Sequence, residues 1–215
     1  MKQIPLLIAM ALALSLCNIT ERFTSKNANQ SNSGTGAASN TGGSAADTGG
    51  VPVDHPEPTA AQTKALEGGQ EAKWDQQGIS WTVPAGWKKQ TVETKSFTYG
   101  APGNAAFLIA SISTMDESFP TAISLKAYYD SAVTRKKNGE LDELRYLEID
   151  GVKGVEFREA NPEQADGIRR LQWIAYRKFA GQTQQVNLIL SGSGKSFPAR
   201  QDELYAILYS TKLVH

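Results

Sequence analysis

Histidine and cysteine are nearly missing from this chain: its 215 residues include two of the first and one of the second. His55 lies in a proline-rich stretch and His215 is the last residue, so the part that reads as a folded domain holds no histidine. Serine or cysteine nucleophiles there lack an imidazole base, and zinc sites built on His and Cys are excluded. One cysteine closes no intrachain disulfide, which leaves the fold to core packing alone. Net charge is absent too, with 22 Lys and Arg against 22 Asp and Glu. That balance excludes a basic nucleic-acid coat and an acidic tail protein. No cofactor and no metal is implied.

What is present begins with an address. Met1, Lys2 and Gln3 give a positive start, and Ile4 to Leu16 is an apolar run of 13 residues. A bilayer-spanning helix needs about 20 apolar residues, so the run has the length of a signal-peptide core and residues 1–16 are expected to be an export signal. The only cysteine, Cys17, stands where the run stops, and Leu14-Ser15-Leu16-Cys17 resembles the lipobox of bacterial lipoproteins. The resemblance implies cleavage before Cys17 and lipid attachment to its thiol, on the non-cytoplasmic side of an envelope membrane. Leu16 departs from the small residue usual before that cysteine, and Ala9, Ala11 and Ala13 offer an A-x-A-like alternative for a secreted form.

From Asn18 to about Gly50 the chain is rich in Ser, Gly, Asn, Thr and Ala, and Val51 to Pro58 adds three prolines. Such composition buries too little apolar surface to offset ordering entropy, so residues 17–73 are expected to form a lipidated, flexible tether, with at most a frayed helical turn between Thr59 and Lys73. About 55 residues of flexible coil span roughly 40 Å r.m.s..

Residues 74–215 carry 17 basic and 16 acidic side chains and read as one domain. Ile79, Trp81 and Val83 alternate with polar residues as in a half-buried strand, and Ala105 to Thr114 has the apolar continuity of a central strand. Ser124 is placed as an N-cap for a helix through Leu125, Tyr128, Tyr129 and Ala132, stopped at Asn138-Gly139. Four strands follow (144–149, 152–158, 169–179, 183–190), with Asp150-Gly151 as a hairpin turn, and a helix from Pro198 to Thr211 closes the chain. Strands, helix, antiparallel meander, helix is an α+β order.

Gly78 to Trp87 (GISWTVPAGW), the strand after it, the helix around Leu125 to Tyr129, the hairpin at Asp150 to Gly154 and the helix with Leu204 to Ser210 together resemble the PsbP-like domain. That family includes the extrinsic photosystem II subunit and many bacterial lipoproteins of unassigned activity. The resemblance implies a central antiparallel sheet with helices on both faces, an α/β/α sandwich, and says little about function.

Candidate chemistry is sparse. Glu140, Asp142 and Glu143, and Glu156, Glu159, Glu163 and Asp166, are two carboxylate clusters; paired across a cleft they would suit hydrolysis, and otherwise they are solvated turns. Gly192 to Ser196 ends in a P-loop-like GKS, but the first glycine of that motif is replaced by Ile189. Trp74, Trp81, Trp87 and Trp173 are core residues or, on a rim, ligand contacts; Trp74 and Trp87 are the candidate binding residues. Lys88-Lys89, Arg135-Lys136-Lys137, Arg169-Arg170 and Arg177-Lys178 read as solvated surface, with contact to anionic headgroups near the anchor as the alternative. The leading expectation is a non-catalytic binding or accessory domain held at the membrane, with an unidentified envelope protein or small ligand as partner and no nucleic acid. A carrier of a small apolar or aromatic ligand and a carboxylate-dependent hydrolase are the alternatives.

Overall fold

A computed structural model describes residues 50–214. The expected signal, Cys17 and most of the tether lie outside the described residues.

In chain order the elements are β1 (Val53–Asp54), α1 (Ala60–Ala65), β2 (Gln70–Trp74), β3 (Ile79–Val83), β4 (Lys88–Val92), β5 (Ser96–Gly100), β6 (Ala106–Met115), α2 (Thr121–Lys137), β7 (Leu141–Ile149), β8 (Val152–Glu159), β9 (Ile168–Phe179), β10 (Gln182–Ser193), α3 (Phe197–Tyr209) and β11 (Lys212–Leu213). Eight strands form one sheet in the order β1-β7-β8-β9-β10-β6-β5-β4, and β11-β3-β2 form a second. The fold is α+β as expected. Every pairing in both sheets is antiparallel except β1 with β7, which is parallel and makes the large sheet mixed at that edge.

Strand alternation sorts the core into two layers. Leu147, Ile149, Leu171, Trp173, Ala175, Val186, Leu188 and Leu190 face α3 and the small sheet, where they meet Trp74, Trp81, Leu204, Ile207 and Leu208. Tyr146, Val155, Phe157 and Ile174 face the other way, toward Leu125 and Ala132 of α2. Helices therefore stand on both faces of the large sheet.

Two boundaries differ from the sequence reading. The domain does not begin at residue 74, because β1 pairs with β7, α1 packs on α3 and β2 pairs along its length with β3. Thr59 caps α1 through a reciprocal bond with Gln62, a local signal that the proline and glycine content of the stretch hides. Second, α2 starts at Thr121, and Ser124 lies inside it with its hydroxyl 2.7 Å from the Tyr176 hydroxyl. That bond joins α2 to β9, so the serine is a packing contact and not a cap. Ile79, Trp81 and Val83 are buried in alternation as expected, and their strand lies in the small sheet.

The turns follow the sequence closely. Asp150 and Gly151 have φ of 50° and 81°, the left-handed pair of a tight hairpin, and Gly139 closes α2 at φ 78°.

Candidate functional site

Trp74 and Trp87 are 0% and 2% exposed, and Trp81 and Trp173 are as deeply buried. The indole N–H of Trp74 donates to the Glu93 carbonyl at 2.7 Å and that of Trp87 to the Glu203 carboxylate at 2.9 Å. Buried rings whose single donors are already used cannot serve as ligand contacts, so the expected pair of binding tryptophans is corrected to core.

Glu140, Glu163 and Asp166 are exposed, as solvated carboxylates would be, but Glu143 and Glu156 are not. Glu143 and Glu156 lie on β7 and β8 among Arg145 and Arg158, on the face covered by α3. Arg145 bonds Glu156 Oε2 and the Tyr209 hydroxyl, both at 2.6 Å, while Tyr205 donates to Glu143 Oε2 at 2.6 Å and Arg158 binds Glu143 at 3.1 Å. Beside them Arg169 reaches Asp142 and the Glu159 carbonyl. Burial pushes Glu156 up to about 7, against the pull of Arg145 and with a further push from Glu143. Burial works against the Arg145 charge, but Glu156 and Tyr209 hold it above the ordinary range, and burial followed by the Glu156 and Glu143 charges raises Tyr205. A carboxyl near neutrality is what acid–base catalysis uses. Glu156, however, is 0% exposed and sealed beneath Tyr205 and Tyr209, so it holds α3 to the sheet where no substrate reaches.

The P-loop-like segment joins β10 to α3, and its amides are already engaged. Gly194 N donates to the Gly167 carbonyl at 2.7 Å, Lys195 N to Ala165 at 2.8 Å and Ser196 N to Ser193 at 3.0 Å. No backbone donor of these three is left to cradle a phosphate. Among the described residues no group of three or more His, Cys, Asp or Glu stands together as a metal site would require.

A groove open to solvent lies elsewhere, and strand lengths create it. The β7–β8 hairpin turns back at Asp150-Gly151, and β8 pairs with β9 only as far as Gly154 opposite Ala175, whereas β9 runs on to Phe179. Beside Tyr176, Arg177 and Lys178 there is consequently a trough of about 460 Å³ open to solvent, with Gly151, Val152 and Lys153 on one bank and Thr121, Ala122, Leu125 and Lys126 of α2 on the other. Tyr146, Tyr176 and Leu125 give it an apolar floor. Lys153 continues the Val155–Phe157 row and Lys178 the Ile174–Tyr176 row, so alternation sets both on the α2 face.

No acidic side chain lines the trough. Lys126 pairs with Asp130 at 2.6 Å, but Lys153 and Lys178 make no ion pair among the described residues. Glu148, opposite Lys153 in the ladder, lies 3.7 Å from His55. Arg177 borders the trough and sends its guanidinium to the opposite face, where it donates to the Gln184 amide oxygen and the Gln77 carbonyl and lies 4.4 Å from the Phe179 ring centroid. It is 6% exposed, its Nη1 is buried without a hydrogen bond, and burial lowers it to about 10. The trough is thus a cationic place on a domain whose charge is otherwise balanced. Lys153 and Lys178 are 25 positions apart, and only the shared end of β8 and β9 brings them together.

A larger trough of about 600 Å³ runs beside β4 along Gly86, Lys88, Lys89 and Gly100 to Asn104. Lys88 and Lys89 line it, but its walls hold no aromatic side chain to meet an apolar body.

No protein-family model matches the sequence, and no curated protein does. Solved structures with a similar fold include cyanobacterial PsbP from Synechocystis (15% identity over 68% of this chain and 92% of that one, TM-score 0.46). They also include LpqN of Mycobacterium tuberculosis, described as involved in cell envelope biogenesis (14% identity, 68% and 86% coverage, TM-score 0.49), and the Saccharomyces cerevisiae Ran-binding protein Mog1p (13% identity, 68% and 95% coverage, TM-score 0.41).

Proposed function

We propose that the chain is an exported lipoprotein, held at an envelope membrane through Cys17, whose domain acts by binding and not by catalysis. The observation that carries the non-catalytic reading is the burial of Glu156: the carboxyl raised toward neutrality is locked to Arg145 under α3. The troughs of about 460 and 600 Å³ offer lysines, a tyrosine and backbone rather than a carboxylate pair, and in a third, of about 350 Å³ beside β2 and β3, Glu71 and Asp75 are both exposed and Glu71 pairs with Lys73 at 3.0 Å. Open troughs also favour a binding surface over an enclosed carrier cavity. Tethering rests on the cysteine at the end of the apolar run.

Labelling cells with a radioactive fatty acid tests the anchor. Wild-type protein takes up label and sediments with membranes, and Cys17→Ser does neither; equal labelling of the variant overturns the anchor. Turnover of ester or glycoside substrates by the purified chain that is lost in Glu143→Gln overturns the non-catalytic reading.

A further inference from the structure

We infer that the trough between α2 and the β8–β9 ends is a binding site for a small anionic molecule, a phosphate or carboxylate group carried on a short apolar or aromatic body. The inference deepens the non-catalytic binding reading and supplies the chemistry of the ligand.

Size, wall and charge lead there separately. About 460 Å³ open to solvent admits a small molecule and is too small for a folded partner. The half-buried Tyr176 ring offers an aromatic surface to an apolar body, while Leu125 and Tyr146, 5% and 1% exposed, close the floor beneath it. Tyr176 is held in place by its bonds to Ser124 at 2.7 Å and Gln185 at 2.8 Å and by the Phe119 ring, whose centroid is 5.5 Å away, so this wall is set before any ligand arrives. A preformed wall lowers the ordering cost of binding.

Charge selects the sign. Three lysines line the trough, two of them without an ion pair among the described residues, and no acid is in the lining. Behind the same stretch of β9, Arg177 is buried with no carboxylate against it, and in low dielectric its charge is screened less than a surface one. Of the acids nearest in the chain, Asp130 pairs with Lys126, Asp150 meets the Leu213 amide at 2.7 Å and Lys212 at 3.4 Å, and Glu148, opposite Lys153 in the ladder, stays outside the lining. An anion seated between Lys153 and Lys178 gains from both and displaces no existing ion pair. A neutral apolar ligand would leave those cations no better satisfied than water does.

The test uses the full chain in detergent and isothermal titration with phenyl phosphate, inorganic phosphate and phenol. Phenyl phosphate is expected to saturate one site, inorganic phosphate to bind more weakly for want of the aromatic contact, and phenol not to bind. Affinity for phenyl phosphate should fall at least about tenfold in the Lys153→Ala/Lys178→Ala double variant and about tenfold between low and physiological salt. Lys88→Ala/Lys89→Ala on the β4 trough should leave it unchanged, and melting temperatures establish that each variant is folded. No saturable heat with phenyl phosphate, equal binding of phenol, or an unchanged affinity in the Lys153/Lys178 variant each overturns the site. Sedimentation with phosphatidylglycerol vesicles that depends on Lys153 and Lys178, without phenyl phosphate binding, replaces the small ligand with a lipid headgroup. Because the titration reads neither turnover nor membrane attachment, failure of the anchor or of the non-catalytic reading is told apart from failure of this site.

Discussion

Arg145 donates to Glu156 Oε2 at 2.6 Å directly across the β7–β8 ladder, while Glu156 Oε1 is buried with no hydrogen-bond partner. Half of the carboxylate is satisfied and half is stripped of water, which explains why burial outweighs the arginine and raises the group from 4.5 to about 7.

The pH dependence has a definite sign. Between about 4.5 and about 7 the folded state holds a proton on Glu156 that the unfolded chain releases. Stability from this group is therefore full below that window, falls as pH rises through it and levels off above it. Comparing unfolding of wild type and Glu156→Gln at pH 5 and pH 8 isolates the effect, because other groups cancel. Wild type should lose on the order of 1–3 kcal/mol more than the variant over that interval. An identical loss in both proteins would mean that Glu156 is charged throughout.

Trp74→Ala and Trp87→Ala should each lower stability by about 3–5 kcal/mol in urea titrations, because each ring fills core and leaves an acceptor behind. If either variant keeps the wild-type midpoint, its ring is not a core element.

Gly154→Ala should cost about 1–3 kcal/mol. A β-carbon there would meet the Trp173 indole nitrogen and lie 2.8 Å from the Ile174 carbonyl, and Trp173 is fixed by its bond to the Leu147 carbonyl at 3.0 Å. Thermal melting with near-ultraviolet circular dichroism checks both the loss and the displaced indole.

A fragment beginning at residue 74 should be markedly less stable than one beginning at residue 50. It lacks β1, α1 with buried Gln62, and nearly all of β2 with fully buried Ala72. Equal melting temperatures for the two fragments would show that residues 50–73 contribute nothing to the fold.

How far the sequence reaches depends on whether a residue's partner is near it in the chain. Asp150-Gly151, Asn138-Gly139 and the Ile79-Trp81-Val83 alternation are local signals, and each appears in the fold as expected. The strand Lys88–Val92 escapes because it is an edge strand with four of its five residues exposed, which leaves no apolar period to read. Gln70–Trp74 buries only Ala72 and Trp74 and follows two glycines, so its pattern resembles a linker. The arginine–glutamate layer was hidden for a different reason. A charged row on a strand looks like a solvent face until α3, some 50 residues later, is laid over it. Tertiary pairing likewise assembles the cationic trough from α2, β8 and β9, and no spacing within one element announces it.

The parallel pairing of Val53 and Asp54 with Tyr146 and Leu147 is short, yet it occupies the middle of β7, the outer strand of the β7–β10 meander. A nine-residue strand with unpaired amides and carbonyls is a template on which a second molecule can add its own strand. At the opposite border the shift in register between Lys89 and Thr91 and the adjacent lysines make β4 a poor template. The segment that the composition marks as a mere connector thus covers part of an edge on which a second copy could otherwise add a strand. Proteolytic trimming of it would be felt first as self-association, before any loss of secondary structure.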